Sequence, residues 1–139
     1  KKIQSQTTSG PSSISQWAAL AALSTSEDFI KNNKKVFKER RDLIIKHLTK
    51  SDFFSVYPPS GAFYLLVNIE RAINLKYQKT NLIETDSIFT ELLLKNEGVA
   101  VVPGSAFGVP NHIRLSFATQ NENIIKACKK IISFVSSLE

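Results

Sequence analysis

Apolar positions along the chain change their spacing several times, and each change marks an element. Ile14, Trp17, Ala18 and Ala21 follow helical spacing, and Pro11 suits a first turn, so a short helix is expected over residues 11–23. Residues 1–10 are polar, rich in Ser, Thr and Gln, and read as a loop. Ser26 reads as an N-cap, with Glu27 and Asp28 placed to suit the helix dipole. Phe29, Val36, Phe37, Ile44 and Leu48 then share one helical stripe while the lysines lie mostly elsewhere, so a long helix is expected to run to about Lys50. Its ~24 residues would span ~36 Å at 1.5 Å per residue, long enough to bridge domains.

Beyond this helix the pattern alternates between strand and helix signals. Phe53–Tyr57 reads as a short strand stopped by Pro58-Pro59, with a turn at Ser60-Gly61. Ala62–Ile69 is apolar and rich in β-formers, so a buried strand is expected there, followed by a polar surface connection over residues 71–81. Thr85-Asp86-Ser87 caps a helix that carries Ile88, Phe89, Leu92 and Leu93 inside, and Gly98 stands where a C-cap glycine belongs. Val99–Val102 and Ile113–Ala118 read as strands. Thr119 and Glu122 form a capping box for a last helix, whose stripe is Ile124, Cys128, Ile131, Val135 and Leu138. There is no internal repeat. The order predicts an α+β (α/β sandwich) fold, with helices packed against a small mixed sheet.

The composition narrows the class. A chain of 139 residues, 42% hydrophobic, suits one domain with a real core and excludes disorder over most of its length. Only 5 Gly and 5 Pro exclude a collagen-like chain. No apolar run is long enough to cross a bilayer, so no membrane partner is expected. The sequence has no Met, begins Lys1-Lys2-Ile3 and shows no apolar signal region, so it reads as a piece of a longer protein. A lone cysteine, Cys128, forms no internal disulfide and suits a reduced, cytoplasmic setting. The net charge of +6 raises a basic nucleic-acid-binding module as an alternative. Against it, the lysines of the long helix interleave with Glu39 and Asp42 and lack exposed aromatics, as on a solvated face.

Chemistry-bearing residues are few. No dinucleotide, P-loop or metalloprotease motif occurs. His47 and His112 have no ligand-like spacing to each other or to Cys128, so no metal site is expected. Cys128 lies on an apolar stripe and reads as packing rather than a nucleophile. Arg114 stands out, because only four arginines occur among 18 cationic residues and this one interrupts an apolar strand. Alternation puts Ile113, Leu115 and Phe117 on one face and Arg114, Ser116 and Ala118 on the other, where the small neighbours leave room for a guanidinium. A guanidinium binds a carboxylate with paired hydrogen bonds, which a Lys does not reproduce. An internal salt bridge explains Arg114 equally well at this point. Upstream, Pro103–Gly108 is a glycine-bracketed loop that permits close approach of a ligand or simply connects two strands.

Two runs, Gly98-Val99-Ala100-Val101-Val102-Pro103-Gly104-Ser105-Ala106-Phe107-Gly108 and Ile113-Arg114-Leu115-Ser116-Phe117-Ala118-Thr119, resemble the C-terminal part of the pyridoxal-phosphate-dependent aminotransferases of fold type I. Within them the likeness is to the bacterial aspartate and aspartate/prephenate subgroup. Pro59-Ser60-Gly61-Ala62-Phe63-Tyr64, Arg40-Arg41-Asp42 and the Ser/Thr/Gln-rich start agree, and the resemblance runs in order through the whole chain. It implies that residues 1–25 are the residual end of a large cofactor-binding domain, and that residues 26–139 are a connecting helix and a small C-terminal domain. It implies transfer of an amino group between aspartate and 2-oxoglutarate, with prephenate as a further substrate, in a homodimeric parent that holds pyridoxal 5′-phosphate on a lysine. Arg114 stands at the position that grips the substrate α-carboxylate, and Phe107 at one that lines the pocket. The cofactor lysine and the other catalytic, cofactor-binding and second-carboxylate groups are expected upstream of Lys1. Alone, the 139-residue chain is therefore expected to bind no cofactor, to be inactive and to self-associate through Trp17 and Leu20. Gly10 departs from the family's usual Asn. A non-catalytic interaction or regulatory domain on the same fold is the other alternative.

Overall fold

The computed structural model describes residues 2–7 and 9–139. They fall into two compact units, one ending at Lys34 and one running from Lys35 to Glu139.

The first unit is helical. The loop expected over residues 1–10 is in part a helix, α1, at Lys2–Thr7, where the Thr7 hydroxyl donates to the Ile3 carbonyl; Lys1 and Thr8 lie outside the described residues. Lys and Gln are good helix formers, which the polar composition concealed. Helix α2 spans Ser13–Leu23, and Ser12 caps it by accepting from the Ser15 N–H, so Pro11 precedes the cap instead of filling the first turn. None of its residues is buried. Helix α3 runs Asp28–Leu48. The Ser26 hydroxyl donates to the Asp28 carboxylate. The expected stripe holds at its far end, where Ile44 and Leu48 are buried, and fails at Phe29, which is 68% exposed.

In the second unit a four-stranded sheet has the order β1 (Ser55–Val56), β2 (Tyr64–Asn68), β6 (His112–Ser116), β5 (Val102–Pro103). Every pairing in it is antiparallel, where a mixed sheet was expected. The connection over residues 104–111 is too short for a parallel crossover, so β6 returns beside β5 in the opposite sense. Register sets Leu66 opposite Arg114, Tyr64 opposite Ser116, and Val102 opposite Arg114 on the other side. Leu65, Val67, Ile113 and Leu115 face the core. Tyr64 and Leu66 are 36% and 38% exposed, so β2 is half-buried and not enclosed on both faces.

Helices α4 (Asp86–Glu97) and α5 (Asn121–Ser136) complete the core with Phe89, Leu93, Ile124, Ile131 and Phe134. Thr85 caps α4 by accepting from the Ile88 N–H, and Gly98 closes it in the left-handed conformation at φ 66°. The capping box expected at α5 is absent: Gln120 is the N-cap without a side-chain bond, and the Thr119 hydroxyl accepts from the Asn123 amide. The supposed surface connection over residues 71–81 contains a 3-10 turn (Glu70–Ala72) and β3 (Lys76–Tyr77), which pairs with β4 (Asn81–Leu82). Tyr77 there is buried and stacks on Phe134 with ring centroids 4.9 Å apart.

Candidate functional site

The pleat of β6 decides where Arg114 stands. Its neighbours Ile113 and Leu115 bury their side chains in the core, so Arg114 and Ser116 must emerge on the opposite face. Tyr64 and Leu66 of β2 emerge on that same face. The Arg114 guanidinium carbon lies 4.4 Å from the Tyr64 ring centroid and 4.1 Å from that of Phe107. Beside it, Tyr64, Ala100, Val101, Val102, Arg114 and Ser116 line a small open cavity of about 140 Å³. Among the described residues the ion pairs are Lys31 with Glu27 and Arg41 with Asp42, so no internal carboxylate engages Arg114. The internal salt bridge that explained this arginine equally well is thus not formed among them.

Phe107 reaches the guanidinium from a 3-10 turn at Gly104–Phe107. The turn is tightly built. A Cβ on Gly104 would sit 2.3 Å from the Val109 carbonyl oxygen and 2.7 Å from His112 Cβ. Gly108 takes φ 74°, a conformation that favours glycine. The carboxylate of Asp86, itself 2% exposed, accepts from the Ser105 N–H at 2.8 Å and ties the turn to the first turn of α4. Asp86 was legible only as a capping-region residue, because its partner lies 19 positions away.

The remaining candidates stay apart from this face. Cys128 is buried on α5 and burial pushes its thiol up to about 11. Burial lowers His47, and the charges of Lys50, Lys46 and Lys129 lower it further. Among the described residues no group of three or more His, Cys, Asp or Glu is placed to hold a metal ion, and no helix is long and apolar enough to cross a membrane.

An antiparallel sheet flanked by helices, presenting one arginine on the face turned away from the core, agrees with the family that sequence comparison identifies: the aminotransferase class I and II profile matches residues 1–131, and the chain belongs to that family. Its particular relatives carry narrower names. It is 45% identical over 132 residues to a probable aspartate/prephenate aminotransferase of Rhizobium leguminosarum bv. phaseoli, a match that covers 95% of this chain and 33% of that protein. It superposes on the crystal structure of the aspartate aminotransferase from Rhizobium meliloti with a TM-score of 0.92 and 38% identity, over 99% of this chain and 34% of that one. The aspartate aminotransferase of Thermus thermophilus with maleate matches with a TM-score of 0.80 and 34% identity, over 96% of this chain and 32% of that one. The chain thus spans about a third of the length of the curated relatives it matches.

Aminotransferases of this family use pyridoxal phosphate, and the chemistry of the lining residues tests whether it fits here. The cavity beside Arg114 offers no lysine for an imine and no carboxylate for a ring nitrogen. It does not fit the cofactor. Its one charged group suits an anion small enough to meet a guanidinium edge-on, such as a carboxylate.

Proposed function

We propose that this chain is the C-terminal part of an aminotransferase that moves the amino group between aspartate and 2-oxoglutarate, giving oxaloacetate and glutamate, with prephenate as a further oxo-acid partner. In this reading residues 1–25 end the large cofactor-binding domain, and residues 26–139 form the connecting helix and small domain of a homodimeric, cytoplasmic enzyme. Pyridoxal phosphate and its lysine belong to the large domain, upstream of this chain. The names of the relatives support aspartate and prephenate as substrates, and the maleate in the Thermus thermophilus structure, a dicarboxylate, supports an acidic substrate.

One observation carries the assignment to Arg114. A guanidinium stands on an apolar strand with aromatic rings beside it and, among the described residues, no carboxylate against it. Its planar fork donates two parallel hydrogen bonds to an α-carboxylate, which fixes the direction of the substrate as well as its position. Ser116, the small residue two positions on from Arg114, keeps that end of the β6 face open. Phe107 covers one side and limits water at the ion pair, which strengthens it.

The test is amino transfer from aspartate to 2-oxoglutarate by the full-length protein, with the 139-residue chain alone as the inactive blank. Arg114→Ala is expected to lower kcat/KM by about 30- to 5,000-fold, since truncating one side of a charged pair enclosed with substrate typically removes about 2–5 kcal/mol. Arg114→Lys keeps the charge without the fork and is expected to lose about tenfold or more. A nearly normal Arg114→Ala enzyme would show that Arg114 is structural. A folded full-length protein with no transfer from aspartate would overturn the substrate assignment.

A further inference from the structure

Arginine is a long, rotamer-rich side chain, and on a half-exposed sheet face its own strand does not fix where the fork points. Here two rings contact the guanidinium, and they are held differently. Phe107 is carried by the short turn after β5 and is 49% exposed. Tyr64 belongs to β2, whose whole length pairs with β6. Because Leu66 lies directly opposite Arg114, Tyr64 is its diagonal cross-strand neighbour on the same face, within reach of a long side chain. The Tyr64 ring is backed in turn by Phe63 at 4.3 Å between centroids, and Phe63 meets Phe37 of α3 at 6.2 Å. Tyr64 is thus anchored through the sheet that carries Arg114 itself, whereas Phe107 is braced through its own turn and α4.

A ring stacked on a guanidinium fixes the plane of the group and leaves its edge N–H donors free, whereas a carbonyl or carboxylate partner would occupy them. We propose that Tyr64 is the positioning residue for Arg114: the face of its ring sets the plane of the guanidinium, so that the fork is presented, already oriented, at the cavity beside Ala100–Val102. The role belongs to the ring and not to the hydroxyl. It rests on the reading of Arg114 as the carboxylate grip and adds a second residue to that grip.

The experiment is a double-mutant cycle in the full-length, cofactor-loaded enzyme, reading kcat and KM for aspartate, binding of maleate, and melting temperature. Tyr64→Phe is expected to stay within about threefold of the parent in every constant. Tyr64→Leu is expected to raise KM and weaken maleate by about two- to thirtyfold, the range from an exposed to a desolvated cation–π contact, with kcat less affected. Tyr64→Met, similar in bulk and without a ring, takes the place of the Leu variant if that variant does not fold. In an Arg114→Ala background the Tyr64→Leu change is expected to add nothing. An undiminished effect there would show that Tyr64 acts independently of Arg114 and would overturn the proposal, as would a harmless Tyr64→Leu beside a damaging Arg114→Ala. A harmless Arg114→Ala would instead remove the carboxylate reading itself.

Discussion

Cys128 and Arg114 announce themselves in the same way, as single residues out of character with their neighbours, and their surroundings separate them. Cys128 sits on the α5 stripe between Ile124 and Ile131 and is 1% exposed. Burial in apolar surroundings disfavours the thiolate and raises the thiol from an ordinary 9.0 to about 11. The folded chain thus holds this proton more tightly than the unfolded chain. Between about pH 9 and pH 11 the unfolded state loses it first, so this contribution to stability is present below pH 9 and is lost as pH rises toward 11. Cys128→Ala is expected to flatten the decline of the urea midpoint over that window. An unchanged slope would show that other groups cause it. In the parent chain a thiol reagent at pH 8 is expected to label Cys128 only on unfolding. Alternation along β6 was enough to place Arg114 opposite the core. Its contact with Tyr64 was not legible, because it depends on the β2–β6 register, which only the folded sheet displays.

Elements whose ends are set by local chemistry were the legible ones. At α4 the cap residue Thr85 and the closing Gly98 both act within their own turn, and both stand as the sequence places them. At α5 an equally good local signal lost to another local bond, since Thr119 meets the side chain of Asn123 instead of a backbone N–H. The β3–β4 pair escaped notice because Gln78 and Lys79 take positive φ, 52° and 63°, at a turn usually signalled by Asn or Gly. What holds it is distant: Tyr77 buried against Phe134. The turn carrying Phe107 offers the sharpest test at this scale. Gly104→Ala must displace backbone at Val109, so it is expected to destabilise the chain by about 3 kcal/mol or more in urea unfolding. Gly108→Ala meets nothing within 4 Å and carries only the backbone strain, about 1–2 kcal/mol. Equal losses at the two glycines would mean that the crowding at Gly104 relaxes freely.

The two units of the molecule differ in what holds them. In the unit that ends at Lys34, α2 buries no residue, and Ile14, Trp17 and Leu23 are 82%, 72% and 86% exposed. An 11-residue helix without packing is marginal in water. Hydrogen exchange of the 139-residue chain at low concentration is therefore expected to be fast through α2 and slow through β2, β6 and α5. Protection of α2 that grows with concentration would report self-association through Trp17 and Leu20, whereas strong protection at every concentration would contradict the prediction. In the unit from Lys35 onward the α+β class and the order of the helices and of the strands of the four-stranded sheet were legible, because apolar periods change between them, while β3 and β4 were not. The antiparallel sense of the sheet was not, since it follows from the length of a loop and not from any residue type. That sheet has an evolutionary consequence. Leu65, Val67, Ile113 and Leu115 answer to folding, while positions 64, 66, 114 and 116 lie on the reverse of the same strands, the face that the proposed function gives to the ligand. Selection for a new substrate can therefore work through one set of alternate codons while the other set is left alone, and divergence in preference need not pass through unstable intermediates.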